Sequence, residues 1–301
     1  MNGVLIIDKP GGLTSHDIVN RVRRILAQRS VGHLGTLDPL ATGVLPLVTG
    51  SLTRLAQFYT TSEKKYEGVM RFGFATDTYD AEGDPVGPTQ SVQLVEEAVK
   101  ALAARFRGVI EQMPPPFSAK KIHGVPAYKL ARKRKDVVLK PVQVEVKEFE
   151  ILEISQDRVS FRARVASGTY MRSLAHDMGQ QLGCGAHLAS LRRFAVAEFE
   201  IADAHTLEEI AEAASTGDVE NVFVHPRKLL PQMPSVTADE ATAARIRSGR
   251  TVNLPELSRA RQVKVFCGQR ELIAIATRVA GTLFHPKIVL VDVARAPSHA
   301  Y

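Results

Sequence analysis

Gly32-His33-Leu34-Gly35-Thr36-Leu37-Asp38-Pro39-Leu40-Ala41-Thr42-Gly43-Val44-Leu45-Pro46 is the stretch around which the rest of this chain is arranged. Its three glycines and two prolines break both helical and strand periodicity. One carboxylate, Asp38, stands among them, with His33 five residues earlier. Pro39 pushes Asp38 out of the α region toward extended geometry. The stretch is therefore a shaped loop that presents a single acid. Taken alone, such an Asp-Pro reads first as an Asx-type turn whose carboxylate caps its own backbone. The flanking chain decides whether Asp38 has a chemical role instead.

On the N-terminal side, residues 4–7 form a short apolar run and Lys9-Pro10-Gly11-Gly12 a turn. Thr14-Ser15-His16-Asp17 has the chemistry of a helix start, and Ile18, Val19, Val22, Ile25 and Leu26 follow helical spacing. Arg21, Arg23 and Arg24 fall on the other, solvated side. On the C-terminal side, residues 44–48 predict a strand, 52–59 a short helix and 64–74 a further strand. Tyr66 lies near the start of that last strand, where its side chain serves either a cleft or the core. The spacing predicts a helix over 91–106 capped by Ser91, and a hairpin of 142–152 with 159–165 around Gln156-Asp157. After Ser167-Gly168-Thr169, a helix places Met171, Leu174, Ala175, Met178 and Leu182 on its core face. Arg172 falls in its first turn, off that stripe. The helix dipole disfavours a cation there, so a carboxylate or phosphate partner is expected. Leu191 lies between an apolar segment and Arg192-Arg193, and Thr206 caps another helix over 204–215. Pro231-Gln232-Met233-Pro234 reads as a linker between residues 1–232 and a small β-rich module, 233–301. The fold class is thus α+β.

The whole sequence holds 301 residues, 45% of them hydrophobic, with a formal charge of +7. A basic surplus favours a polyanionic partner. Cys184 and Cys267 are the only cysteines, which is no disulfide framework and suits a reducing compartment. The start of the chain lacks signal-peptide architecture and no run reaches membrane-spanning length, so a cytoplasmic protein with no membrane partner is expected. There is no G-x-x-x-x-G-K-[ST], G-x-G-x-x-G, H-E-x-x-H or G-x-S-x-G, and the acidic spacing at 77–84 is wrong for a calcium loop. An enzyme of this sequence is expected to work without cofactor or metal. The segment 117–140 carries Lys120, Lys133, Arg134 and Lys135 with interleaved Phe117 and Tyr128, a composition suited to phosphates and stacked bases.

Five separated stretches coincide with one family. They are Lys9-Pro10-Gly11-Gly12-Leu13-Thr14-Ser15, the Gly32 to Leu45 loop, Lys65-Tyr66 with Phe72 to Asp80, Pro114 to Lys120 with Ala127-Tyr128, and Gly168-Thr169-Tyr170-Met171-Arg172-Ser173-Leu174. Together they resemble the bacterial TruB family, the tRNA pseudouridine-55 synthases. The resemblance spans residues 3 to 195 and is weaker in the C-terminal module, which is similar to a PUA-like domain. It implies a mixed, largely antiparallel sheet with flanking helices and a central cleft. It implies Asp38 as catalytic aspartate, Tyr66 as active-site tyrosine and Arg172 as the arginine paired with the aspartate. It implies that His33, Tyr170 and Leu191 meet the target nucleotide, and that the basic insertion at about 115–140 closes on the T-arm of tRNA. The expected species is a monomer. Two departures stand out. The family commonly has Thr and Gly where this chain has Phe194 and Ala197, and often Gly where it runs Lys133-Arg134-Lys135.

The isomerisation breaks the C1′–N1 bond of uridine, turns the base and joins C5 to C1′. No atoms or electrons are gained, which agrees with the missing cofactor motifs. The base must leave its stack. One carboxylate serves either as nucleophile at base or sugar, or as a base toward a sugar proton. The competing expectation is a non-catalytic tRNA-binding or tRNA-folding protein on the same scaffold.

Overall fold

The computed structural model describes residues 1–290 other than 119, 123, 128–129, 131–138 and 257. Lys133, Arg134 and Lys135 therefore lie outside the described residues. The expected apolar run near the N-terminus is strand β1, Gly3–Lys9, paired antiparallel with β3, Thr42–Thr49. Between them come helix α1, Ser15–Ile25, and the short strand β2, Val31–His33. Thr14 caps α1 in a reciprocal capping box with Asp17, as its polar start predicts. The β1–β3 pair is apolar at nearly every position because both its faces are buried. Leu5, Ile7, Leu45 and Leu47 join the main core with Ile18 and Val22 of α1. Val4, Ile6, Val44 and Val48 face a second core, which includes Phe266, Ile275 and Ile288 of the C-terminal unit.

A nine-stranded mixed sheet is built from these and from β4 (Lys64–Phe72), β5 (Gly108–Gln112), β6 (Val142–Ser155), β7 (Arg158–Val165), β8 (Ala186–Val196) and β9 (Phe199–Glu200). Its main path is β1-β3-β8-β4-β7-β6-β5, with β2 on β3 and β9 on β8. Every pairing is antiparallel except β8 on β3. That parallel contact runs from Arg192 to Thr42 and from Arg193 to Gly43, and it joins the carboxylate loop to the middle of the sheet. Only glycine fits there. A Cβ on Gly43 would lie 2.2 Å from the Arg193 carbonyl oxygen, and Gly43 has φ 98°.

The hairpin expected around Gln156-Asp157 forms, with Gln156 in the left-handed region at φ 53°. Helix α2 spans Glu96–Arg105 and begins later than its spacing predicts. Ser91 is not its cap. Val95 holds that position without a side-chain bond, and Glu96 and Glu97 in the first turn complement the helix dipole instead. The expected 52–59 helix is a 3-10 segment, Gly50–Phe58. Helix α3, Met171–Gln181, packs on β8, and α4, Leu207–Thr216, is capped by Thr206 as expected. Ala197, where the family commonly has glycine, has φ 52°. The local backbone thus keeps a left-handed geometry and accepts the strain of an L side chain.

After the Pro231–Pro234 segment, the C-terminal strands are β10 (Ser235–Ala238), β11 (Val252–Asn253), β12 (Gln262–Cys267), β13 (Glu271–Ala280) and β14 (Leu283–Val289), with helix α5 (Glu240–Arg247). They form a sheet of order β10-β12-β13-β14-β11 around its own apolar cluster. Lys264 is almost fully buried here and donates to the carbonyls of Arg227 (3.1 Å) and Leu229 (2.6 Å), tying this sheet to the preceding segment.

Candidate active site

Two main-chain hydrogen bonds shape the loop at residues 34–41 around Asp38 and Pro39. Ala41 N–H donates to the Asp38 carbonyl at 3.1 Å, and Gly12 N–H donates to the Pro39 carbonyl at 2.9 Å. Three side chains from three other elements clamp the same backbone. Ser15, at the start of α1, accepts from Leu37 N–H at 2.8 Å and donates to the Leu37 carbonyl at 2.9 Å. Lys9, at the end of β1, donates to the carbonyls of Pro10 (2.7 Å), Leu13 (2.8 Å) and Pro39 (3.2 Å). Arg193, fully buried in β8, donates to the carbonyls of Val44 (2.8 Å), Thr36 (3.0 Å) and Gly35 (3.1 Å). These bonds satisfy backbone acceptors of a loop that has no ladder of its own. They also leave the Asp38 side chain free of its own turn, so the Asx alternative does not hold.

The Asp38 carboxylate goes to Arg172. Arg172 Nη2 donates to Asp38 Oδ1 at 3.2 Å, and Nε stands 2.9 Å from Oδ2, off the hydrogen-bonding direction. Sequence spacing places Arg172 off the apolar stripe of α3, yet it is 6% exposed. Its burial is offset by partners on every side. Nη1 lies 3.3 Å from Asp80 Oδ2 and donates to the Thr78 carbonyl at 3.1 Å, and Nη2 also donates to the Phe117 carbonyl at 3.0 Å. The expected carboxylate partner of Arg172 is therefore two carboxylates. Asp80, itself buried, accepts from Thr78 Oγ1 at 2.6 Å and Glu82 N–H at 3.1 Å. The outer face of Asp38 remains open, with 38% of its side chain exposed.

A cavity of about 410 Å³ opens at that face, within the usual range for small-molecule sites. His33, Asp38, Tyr66, Tyr170, Arg172 and Leu191 all line it. Side-chain alternation explains how they meet. In β4, Lys64, Tyr66, Gly68 and Met70 share one face. Across the ladder, Tyr66 pairs with Arg193 and Gly68 with Leu191, which brings β8 onto the same wall. His33 ends β2, and Tyr170 is the residue before α3. The Tyr170 backbone is fixed by buried Gln112, whose side chain bonds its N–H (2.8 Å) and carbonyl (3.0 Å). Burial and then the Arg193 charge push the His33 imidazole below its ordinary value, so it is neutral at pH 7. Burial pushes the Tyr170 hydroxyl up. Lys120 is exposed and does not line the cavity.

Several site residues carry no role in the sequence reading. Asp80 ends the Phe72 to Asp80 stretch, but nothing local marks it as a second partner of Arg172. Lys64 stands two positions before Tyr66, and strand alternation alone puts it on the same face. Burial and then Arg193 bring its amine down to about 8. Lys9 is brought to about 8 by burial, partly opposed by Glu82 and Asp38. Tyr79, at φ 65°, stacks on His176 of α3 with ring centroids 3.7 Å apart and planes at 10°. That stack secures the strained turn whose neighbours Thr78 and Asp80 hold Arg172.

This fold is shared with solved structures. A Cbf5-Nop10-Gar1 complex contains a chain of 25% identity that superposes with a TM-score of 0.70, over 96% of this chain and 85% of that one. Residues 23–171 match the TruB family pseudouridylate synthase (N terminal domain), and residues 172–231 match the tRNA pseudouridylate synthase B C-terminal domain. The fold is that of a pseudouridine synthase. The chain belongs to the TruB family. It is 50% identical over 293 residues to the tRNA pseudouridine synthase B of Solibacter usitatus (strain Ellin6076), covering 96% of this chain and all of that one. It is 39% identical over 293 residues to the enzyme of the same name from Aquifex aeolicus (strain VF5), covering 97% of this chain and 100% of the relative.

Proposed function

We propose that this tRNA pseudouridine synthase acts on the uridine at position 55 in the T-arm, with Asp38 as its catalytic carboxylate. The observation that carries the assignment is the Asp38 side chain itself. Its loop is held by other residues, its inner edge is held by Arg172, and its outer edge faces a cavity lined by Tyr66. A carboxylate oriented by an arginine is ready either to attack or to take a proton. The flipped uracil stacks on Tyr66, and the tyrosine hydroxyl assists loss of the C5 proton once C5 has joined C1′. Neutral His33, Tyr170 and Leu191 bound the nucleotide. Arg172 holds Asp38 in place while the glycosidic bond breaks and the base turns.

Residues 1–232 form the catalytic unit in this reading, and 233–301 a PUA-like module. The insertion at about 115–140, with Lys120, Lys133, Arg134 and Lys135, closes on the T-arm, and the protein works as a cytoplasmic monomer. Incubation with an unmodified tRNA transcript, followed by mapping of pseudouridine, tests the assignment. One modified position in the T-arm is expected. Modification elsewhere rejects the target, and binding without modification favours a non-catalytic tRNA-folding role.

A further inference from the structure

We propose that Lys64 is a phosphate-binding residue, taking a phosphodiester next to the target uridine. The proposal rests on the reading that the cavity receives a uridine still joined to its RNA chain. Lys64 lines the same cavity as Asp38, on the β4 face that also carries Tyr66. Its side chain lies over the carboxylate loop, so that a Cβ on Gly35 would be 3.7 Å from Lys64 Cε.

The ammonium group has three protons. Among the described residues it makes one hydrogen bond, to the Ser62 carbonyl at 2.8 Å. Its charged neighbour is a second cation, Arg193. Arg193 brings no anion to the wall either, because its partners among the described residues are the neutral carbonyls of Val44, Thr36 and Gly35. Asp38 and Asp80 are engaged by Arg172. This wall of the cavity therefore holds two cations without a counter-ion of their own, an arrangement that is costly away from water. An anion entering with the ligand relieves that cost. The uracil base is neutral, and the anions closest to it in an RNA chain are its flanking diesters. A lysine meets a phosphate as a compact point charge without demanding a fixed angle. That suits a nucleotide whose base must turn while its backbone stays held.

The test uses the full-length protein and a T-arm stem–loop, either unmodified or with one neutral methylphosphonate at each diester flanking the target in turn. Lys64→Met should weaken stem–loop binding by roughly ten- to a hundredfold, the worth of a charged hydrogen bond. The slope of log affinity against log salt should fall by about 0.7, one phosphate contact to a single strand. Lys64→Arg should retain most of the affinity. The loss should appear in KM and not in kcat, since a held backbone is common to ground and transition states. With wild-type protein, one methylphosphonate should reproduce the loss, and Lys64→Met should lose nothing further on that substrate. Unchanged affinity and slope in Lys64→Met overturns the proposal. So does a wild-type protein indifferent to both methylphosphonates, a result that does not depend on how any variant folds. Losses that add independently overturn it as well. Failure of wild-type protein to convert the unmodified stem–loop rejects the T-arm reading itself. Conversion without Lys64 dependence rejects only the phosphate contact.

Discussion

Asp38 and Arg172 lie 134 positions apart in the chain and meet through two atoms each, with Nη2 to Oδ1 at 3.2 Å and Nε to Oδ2 at 2.9 Å. Asp38→Asn keeps the loop clamps and leaves Arg172 paired with Asp80. Turnover should fall by at least about a thousandfold, with an almost unchanged melting temperature and retained tRNA binding. Single-turnover pseudouridine formation and a thermal melt measure both. Substantial product from the variant would sink the assignment of Asp38.

Arg172 holds both carboxylates with a planar fork, and a lysine offers only a point charge. Arg172→Lys should lower kcat by about a hundredfold through displacement of Asp38, with a smaller change in KM. Asp80→Asn should act in the same direction more weakly, because the Thr78 and Phe117 carbonyls still hold the guanidinium. A larger effect on KM than on kcat in either variant would contradict a positioning role.

The Tyr79–His176 stack predicts a split between two substitutions of one residue. His176→Phe keeps an aromatic face against Tyr79, while His176→Ala removes it at a cost of about 1 kcal/mol. The alanine variant should also lose several-fold in kcat, because the turn carrying Thr78 and Asp80 loosens. The phenylalanine variant should recover most of that activity. Equal kcat in both would mean that the stack does not reach Arg172.

Asp177 gives a pH signature with a definite sign. Burial raises its carboxyl to about 6 from an ordinary 3.8. The folded state therefore holds a proton between those values that the unfolded state releases, and stability falls as pH rises through this window. Above it the charged carboxylate is a standing penalty, reduced by its partial contact with solvent to about 1 kcal/mol. Asp177→Asn should melt higher than wild type at pH 7, with the difference vanishing below about pH 4. A constant difference across that range would rule out this titration as its cause.

Neutralising Lys133, Arg134 and Lys135 together should weaken tRNA binding and lower its salt slope by about 2 to 3. Binding titrations at several salt concentrations decide it. An unchanged slope would remove these residues from the RNA contact.

The local sequence determined the elements wherever periodicity and caps act over a few residues. The Thr14 and Thr206 capping boxes, the β6–β7 hairpin and the β1 and β3 strands formed where their residues predict. The Ser91 cap failed because a polar residue at a plausible distance is not enough. The helix began where Glu96 and Glu97 meet its dipole and Val99, Leu102 and Ala103 turn into the core. The residues themselves marked out Asp38, Tyr66 and Arg172 as candidates, because glycines, prolines and lone polar residues in apolar surroundings are visible one at a time, and the resemblance to the TruB family added His33, Tyr170 and Leu191. Tertiary structure alone decided what each of them touches. Asp80 became a partner of Arg172, Arg193 became a clamp on the carboxylate loop, and Lys64 came to face the cavity, through ladder registers and loop packing across more than a hundred residues. Hydrogen bonds and ion pairs act over a few ångströms of space, and a linear sequence carries no such distances.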